Sequence, residues 1–225
     1  MRTKPLVVLI FLISEVLKKH KINIMEQRTI SLQKGRSLTL EKGIRRLTVN
    51  LEWKENTRST RTNEDYDIDL MAIELDTNGR AISPDHLVFY GSLVETPEHE
   101  LSDPEGAVIY SGDDTTGGDG ESMKVEIGKI NPEVTDILFF ANIYDAHSRG
   151  QNFGMIRDAK VSVYQDGKDT PSIIYSMTDD FKNDTFIFCC RLKRIEGRLF
   201  KFIAEGEGNN KELIDNLQGY GLKFK

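Results

Sequence analysis

The stretch of the chain best suited to chemistry is NEDYDIDL, residues 63–70, where Asp65, Asp67 and Asp69 alternate with Tyr66, Ile68 and Leu70. In an extended strand, side chains two apart share a face. The three carboxylates are therefore expected on one side, with Ile68 and Leu70 on the other. Like charges this close repel by roughly a few kcal/mol per pair at an intermediate dielectric. A divalent cation removes that repulsion, and calcium prefers several oxygen ligands from carboxylates and carbonyls. A second acidic stretch, SGDDTTGGDGES at 111–122, sets Asp113, Asp114, Asp119 and Glu121 among four glycines. Glycine lets the backbone turn tightly and aim carbonyl oxygens inward. Acidic turns are also ordinary surface features, so the two stretches form a site only if the fold brings them together.

Other chemistries find little support. Asp65, Asp67 and Asp69 imitate the opening of an EF-hand loop, but Leu70 stands at its glycine position and Asp76 at its closing glutamate. His20, His86, His99 and His147 are scattered without zinc spacing. There is no phosphate-binding glycine loop and no nucleophile elbow. Asp145, His147 and Arg149 are close enough for acid–base work, yet residues just after a strand commonly serve to fix a turn. Cys189 and Cys190 lie in FIFCCRL, a core-strand pattern that predicts them on opposite faces, buried as small hydrophobes.

The elements that must position these groups read as β. Alternating or continuous apolar runs predict strands at 37–40, 47–53, 67–75, 87–90, 108–111, 123–127, 136–144, 160–164, 172–175, 186–192 and 199–204. Asn78-Gly79 marks a tight turn. Many short strands between polar turns predict an all-β fold, an antiparallel β-sandwich. One short helix is expected near the C-terminus, over 209–217, with Leu213, Ile214 and Leu217 on one face. The segment 91–106 is acidic and reads as a surface loop.

Composition agrees with a water-exposed globule. Of the 225 residues, 38% are apolar and 29% charged. A chain of this size can bury a core without disulfides, and two adjacent cysteines make no framework, which favours a reducing compartment. The net charge is −6, but residues 1–24 hold five basic side chains and one acid, so the remainder stands at −10. An acidic body repels phosphates and attracts cations, so no nucleic acid partner is expected. Residues 1–24 combine a basic start with an apolar run from Leu6 to Ile13. The run is too short to span a bilayer and no small-residue cleavage site follows it. It reads as an extension upstream of a start at Met25, as a peripheral anchor or uncleaved signal, or as a helix packed on the domain. Residues 25–225 then form the domain.

DYDIDLMAIELDTNGR, DHLVFY, SGDDTTGGDGES and IYDAHSRGQNFGMIRDAKVSV, in that order and spacing, resemble the TerD family over roughly Ile30 to Leu222. The resemblance implies a calcium-binding β-sandwich acting in tellurite resistance or general chemical stress, without catalysis. It implies Asp67, Asp69, Asp113 and Asp114 as calcium ligands, with Asp119 and Glu121 as further members. The family's loop usually continues to a run like DDE where this chain reads GDGES, so one ligand is absent or replaced by a carbonyl of Gly117 or Gly118. A cytoplasmic protein is implied, with the N-terminal segment as an alternative membrane attachment. Other stress-resistance proteins or the membrane surface are the expected partners. Two other classes stay open: a divalent-metal-dependent phosphoesterase, and a calcium-dependent docking module whose loop surface the ion reshapes.

Overall fold

The computed structural model describes residues 29–55, 66–111, 120–177, 181 and 183–224. The N-terminal segment, Asp65, Asp113, Asp114, Gly117 and Asp119 lie outside the described residues.

Two six-stranded sheets face each other. The first has the order β1 (Ile30–Leu32), β10 (Ile173–Ser176), β9 (Ile156–Gln165), β3 (Arg46–Glu55), β7 (Glu121–Glu126), β6 (Val108–Tyr110). The second runs β2 (Ser37–Thr39), β12 (Leu199–Asn209), β11 (Phe186–Glu196), β8 (Asp136–Ile143), β4 (Ile68–Leu75), β5 (Leu87–Val88). Pairing is antiparallel except where β1 runs parallel to β10. The antiparallel sandwich expected from the strand pattern is thus present, with one parallel edge. Leu47, Val49 and Leu51 of β3 and Phe139 and Ala141 of β8 belong to the core between the sheets.

β4 and β8 are buried at every position, which explains why DIDLMAIEL and DILFFANI read as runs rather than alternations. Ile68, Leu70 and Ala72 point into the inter-sheet core. Met71, Ile73 and Leu75 point the other way, into a second apolar cluster with Leu138, Phe140 and Phe186. A short helix, α2 (Leu213–Gln218), helps cover that outer face with Leu217, and Leu222 and Tyr220 pack there too. The helix starts later than its pattern predicts because β12 runs on to Asn209. Leu213 and Leu217, four apart, pack inward, whereas Ile214 is 49% exposed, about 100° around the helix from Leu213.

The expectation that Cys189 and Cys190 face opposite sides is corrected by a β-bulge. The register of β11 shifts between Phe188 and Cys190 against both of its neighbours. An extra residue in one strand cancels the alternation locally, so both thiols enter the inter-sheet core. Burial pushes the Cys189 thiol up to about 12 and Cys190 well above its ordinary value, so neither forms a thiolate nucleophile near neutral pH.

Candidate metal centre

Asp67 and Asp69 stand at the start of β4. Ile68 and Leu70 enter the core, so Asp69 takes the opposite face, as the alternation predicts. It is nonetheless only 3% exposed, because β8 lies alongside, with Asp69 directly opposite Asn142. The Asp67 carbonyl accepts a hydrogen bond from the Tyr144 backbone N–H at 2.9 Å, which ties the strand's entry to the end of β8.

Glu121 was expected as part of a glycine-rich loop, and the structure makes it the first residue of β7. It is fully buried. Tyr110 Oη donates to its Oε1 at 3.1 Å, and the Leu70 backbone N–H of the facing sheet donates to its Oε2. Glu121 therefore crosses between the sheets and reaches the backbone of the residue after Asp69. The hairpin that carries residues 112–119 is closed at its foot by a bond from the Ser111 N–H to the Ser122 carbonyl, 3.0 Å. Gly120, at φ +73°, fits there because a Cβ would overlap the Leu51 carbonyl oxygen. The acidic hairpin is thus rooted beside the Asp67–Asp69 end of β4. Asn142 was missed by sequence reasoning; a lone amide inside the apolar run ILFFANIY was its only signal.

The Asp145–Arg149 segment is a turn. Asp145, at φ 53°, leads into a one-turn helix, α1 (Ala146–Arg149), ended by Gly150 at φ 64°. The Asp145 carbonyl accepts from Arg149 N–H and Ser148 Oγ. The Arg149 guanidinium lies 5.2 Å from the Tyr144 ring centre.

At the far end of β4, a different group of side chains converges. Glu74, His86 and Asp103 are buried, and one ligand atom from each lies within 4.8 Å of the others. Burial, and then the Asp103 and Glu105 carboxylates, push Glu74 up to about 9. Burial likewise raises Asp103. These residues were passed over in sequence, since no local spacing links them.

A two-sheet, largely antiparallel β-sandwich defines the class. The chain belongs to the TerD family: the family model described as the TerD domain matches residues 28–220. General stress protein 16U of Bacillus subtilis (strain 168) is 33% identical over 201 residues, covering 87% of this chain and 98% of that protein. Tellurium resistance protein TerD of Serratia marcescens is 31% identical, covering 86% and 98%. A crystal structure of a homologue of telluride resistance protein (TerD) from Streptomyces coelicolor A3(2) shares the fold, with a TM-score of 0.56 at 15% identity over 78% of this chain and 96% of that one. Among the described residues, no helix is long and apolar enough to cross a membrane.

Proposed function

We propose that the chain is a calcium-binding, non-catalytic domain acting in tellurite resistance or the response to chemical stress. The role follows the relatives, whose names are those of tellurium resistance and stress proteins. The calcium reading is carried by one observation: Glu121, at the foot of the acidic segment, hydrogen-bonds the backbone of Leu70 and so roots that segment at the end of β4 that carries Asp69, whose own side chain takes the other face of the sheet. Asp67, Asp69 and Glu121 from the framework, with Asp113, Asp114, Asp119 and the Gly117 carbonyl from the hairpin, supply the oxygen-rich set that calcium takes. Asp145 and Arg149 hold the turn after β8 and take no part in turnover.

Calorimetric and thermal titration of the purified chain tests this. Calcium stabilises only the folded state, so a concentration about a hundredfold above Kd adds about 2.7 kcal/mol. Magnesium does less, because it demands a smaller octahedron and sheds its waters reluctantly. Asp69→Asn weakens binding while keeping the fold. An unmoved melting curve at millimolar calcium, with no heat of binding, overturns the reading.

A further inference from the structure

Glu74 is a carboxyl group placed where water does not reach. Even-numbered residues of β4 face the inter-sheet core, and strand alternation puts Glu74 on that side. It is 0% exposed, and among the described residues neither Oε1 nor Oε2 meets a hydrogen-bond donor. Burying an ionised carboxylate without partners is strongly unfavourable, so this group either keeps its proton or meets a cation.

Arg194 is a cation whose field reaches Glu74, but it is committed elsewhere. Its Nε, Nη1 and Nη2 donate to the carbonyls of Val134, Gly197 and Asn131. Asp103, whose carboxylate also raises Glu74, is itself an acceptor when ionised. Two carboxylates can bond each other only through a shared proton, or through a cation.

The neighbours are oriented as a cation site requires. His86 Nδ1 is 2.8 Å from Ser83 Oγ. With Nδ1–H donating to that hydroxyl, the Nε2 lone pair is left for a cation, the outer-sphere arrangement typical of a metal-bound imidazole. Nε2 also lies 3.2 Å from Glu105 Oε2, yet without the alignment of a hydrogen bond. Asp103 Oδ1 is held by the N–H groups of Ala107 and Val108, at 2.6 and 2.7 Å. Glu105 is the outermost member, with its side chain 31% exposed, and offers a cation a route from solvent.

We propose that Glu74, His86 and Asp103, with Glu105 at the rim, bind a first-row divalent transition-metal ion. The imidazole and carboxylates are ligands suited to zinc and its neighbours, whereas calcium takes oxygen alone. Donor atoms on a metal with bonds of about 2.1 Å stand roughly 3 to 4 Å apart. The observed limit of 4.8 Å therefore needs only small rotamer adjustments. The charges also balance: three carboxylates and one divalent ion leave a single negative charge, with Arg194 close by. The site is separate from the proposed calcium centre. Asp69 and Glu74 are five residues apart on β4, about 17 Å along the strand, and point to opposite faces.

The test uses the full chain, stripped with a chelator and titrated with zinc chloride in millimolar calcium. One equivalent of zinc is expected to bind, read as the stoichiometry of the calorimetric heat. Asp69→Asn keeps this affinity. Glu74→Gln and His86→Gln each weaken it at least about tenfold. No zinc heat in the wild type overturns the proposal, and so does an affinity unchanged in both site variants. Should those variants fail to fold, the His86 ring nitrogens of the labelled wild type decide. Their resonances shift on zinc addition if the site is real, and unshifted resonances at saturating zinc reject it.

Discussion

The carboxylate of Glu121 on one sheet accepts the backbone N–H of Leu70 on the other. Among the described residues, β5 pairs with β4 only at Ala72 and Ile73 and no strand meets the edge of β4 near Leu70, where a side chain from across the core accepts instead. A buried N–H left unmade costs far more than an average hydrogen bond contributes.

Glu121→Ala is therefore expected to lower stability by about 2 to 4 kcal/mol even in chelator. Glu121→Gln should recover part of that loss, since an amide oxygen still accepts from Leu70. Urea unfolding of both variants checks this. Equal stability of wild type and Glu121→Ala without calcium would show that Glu121 is no cross-sheet link.

Gly120→Ala acts at the root of the hairpin. The residue sits at positive φ and its Cβ would meet the Leu51 carbonyl, so the substitution should cost about 1 to 3 kcal/mol. The displaced foot should also weaken calcium binding. Calorimetry that finds wild-type affinity in this variant would separate the hairpin from the metal.

Arg149→Ala removes a guanidinium stacked over Tyr144, a ring that is 44% exposed. Cation–π contacts at exposed sites contribute about 0.5 to 1 kcal/mol, and a loss of that size in thermal unfolding is expected. A variant of unchanged stability that had lost a measurable turnover would reverse the assignment of this segment to structure.

Glu74 gives a pH dependence whose sign can be worked out. In chelator its carboxyl is raised from 4.5 to about 9, by burial and then by Asp103 and Glu105. Between those values the unfolded chain is ionised at this position while the folded one holds its proton. The contribution of protonated Glu74 to stability is fully present below about pH 4.5 and is lost as pH rises through about 9. The slope is at most about 1.4 kcal/mol per pH unit. Glu74→Gln should flatten it, and parallel stability profiles for wild type and variant from about pH 5 to 8.5 would refute the assignment.

The sequence by itself determined most of the strands, though not the edge strand β1, and the direction of the Asp69 side chain, because a period of two is a local property that each residue's type expresses directly. It also gave the acidic character of the hairpin and, through the order of its motifs, the family. Tertiary structure decided what depends on contacts between distant residues. Cys189 and Cys190 share a face only because β11 bulges against both neighbours. Glu121 turned from a loop carboxylate into a buried link because, among the described residues, no strand meets the edge of β4 near Leu70. Ile214 fell outside the packed face because it stands about 100° from Leu213, and only the docking of Leu213 and Leu217 on the outer cluster decided which side is buried. Glu74, His86 and Asp103 come from a strand interior, a 3-10 turn and an irregular segment, and no spacing along the chain joins them. Packing the loop 91–106 against the end of β4 brings them together, and burial then sets three ordinary polar residues within reach of one another.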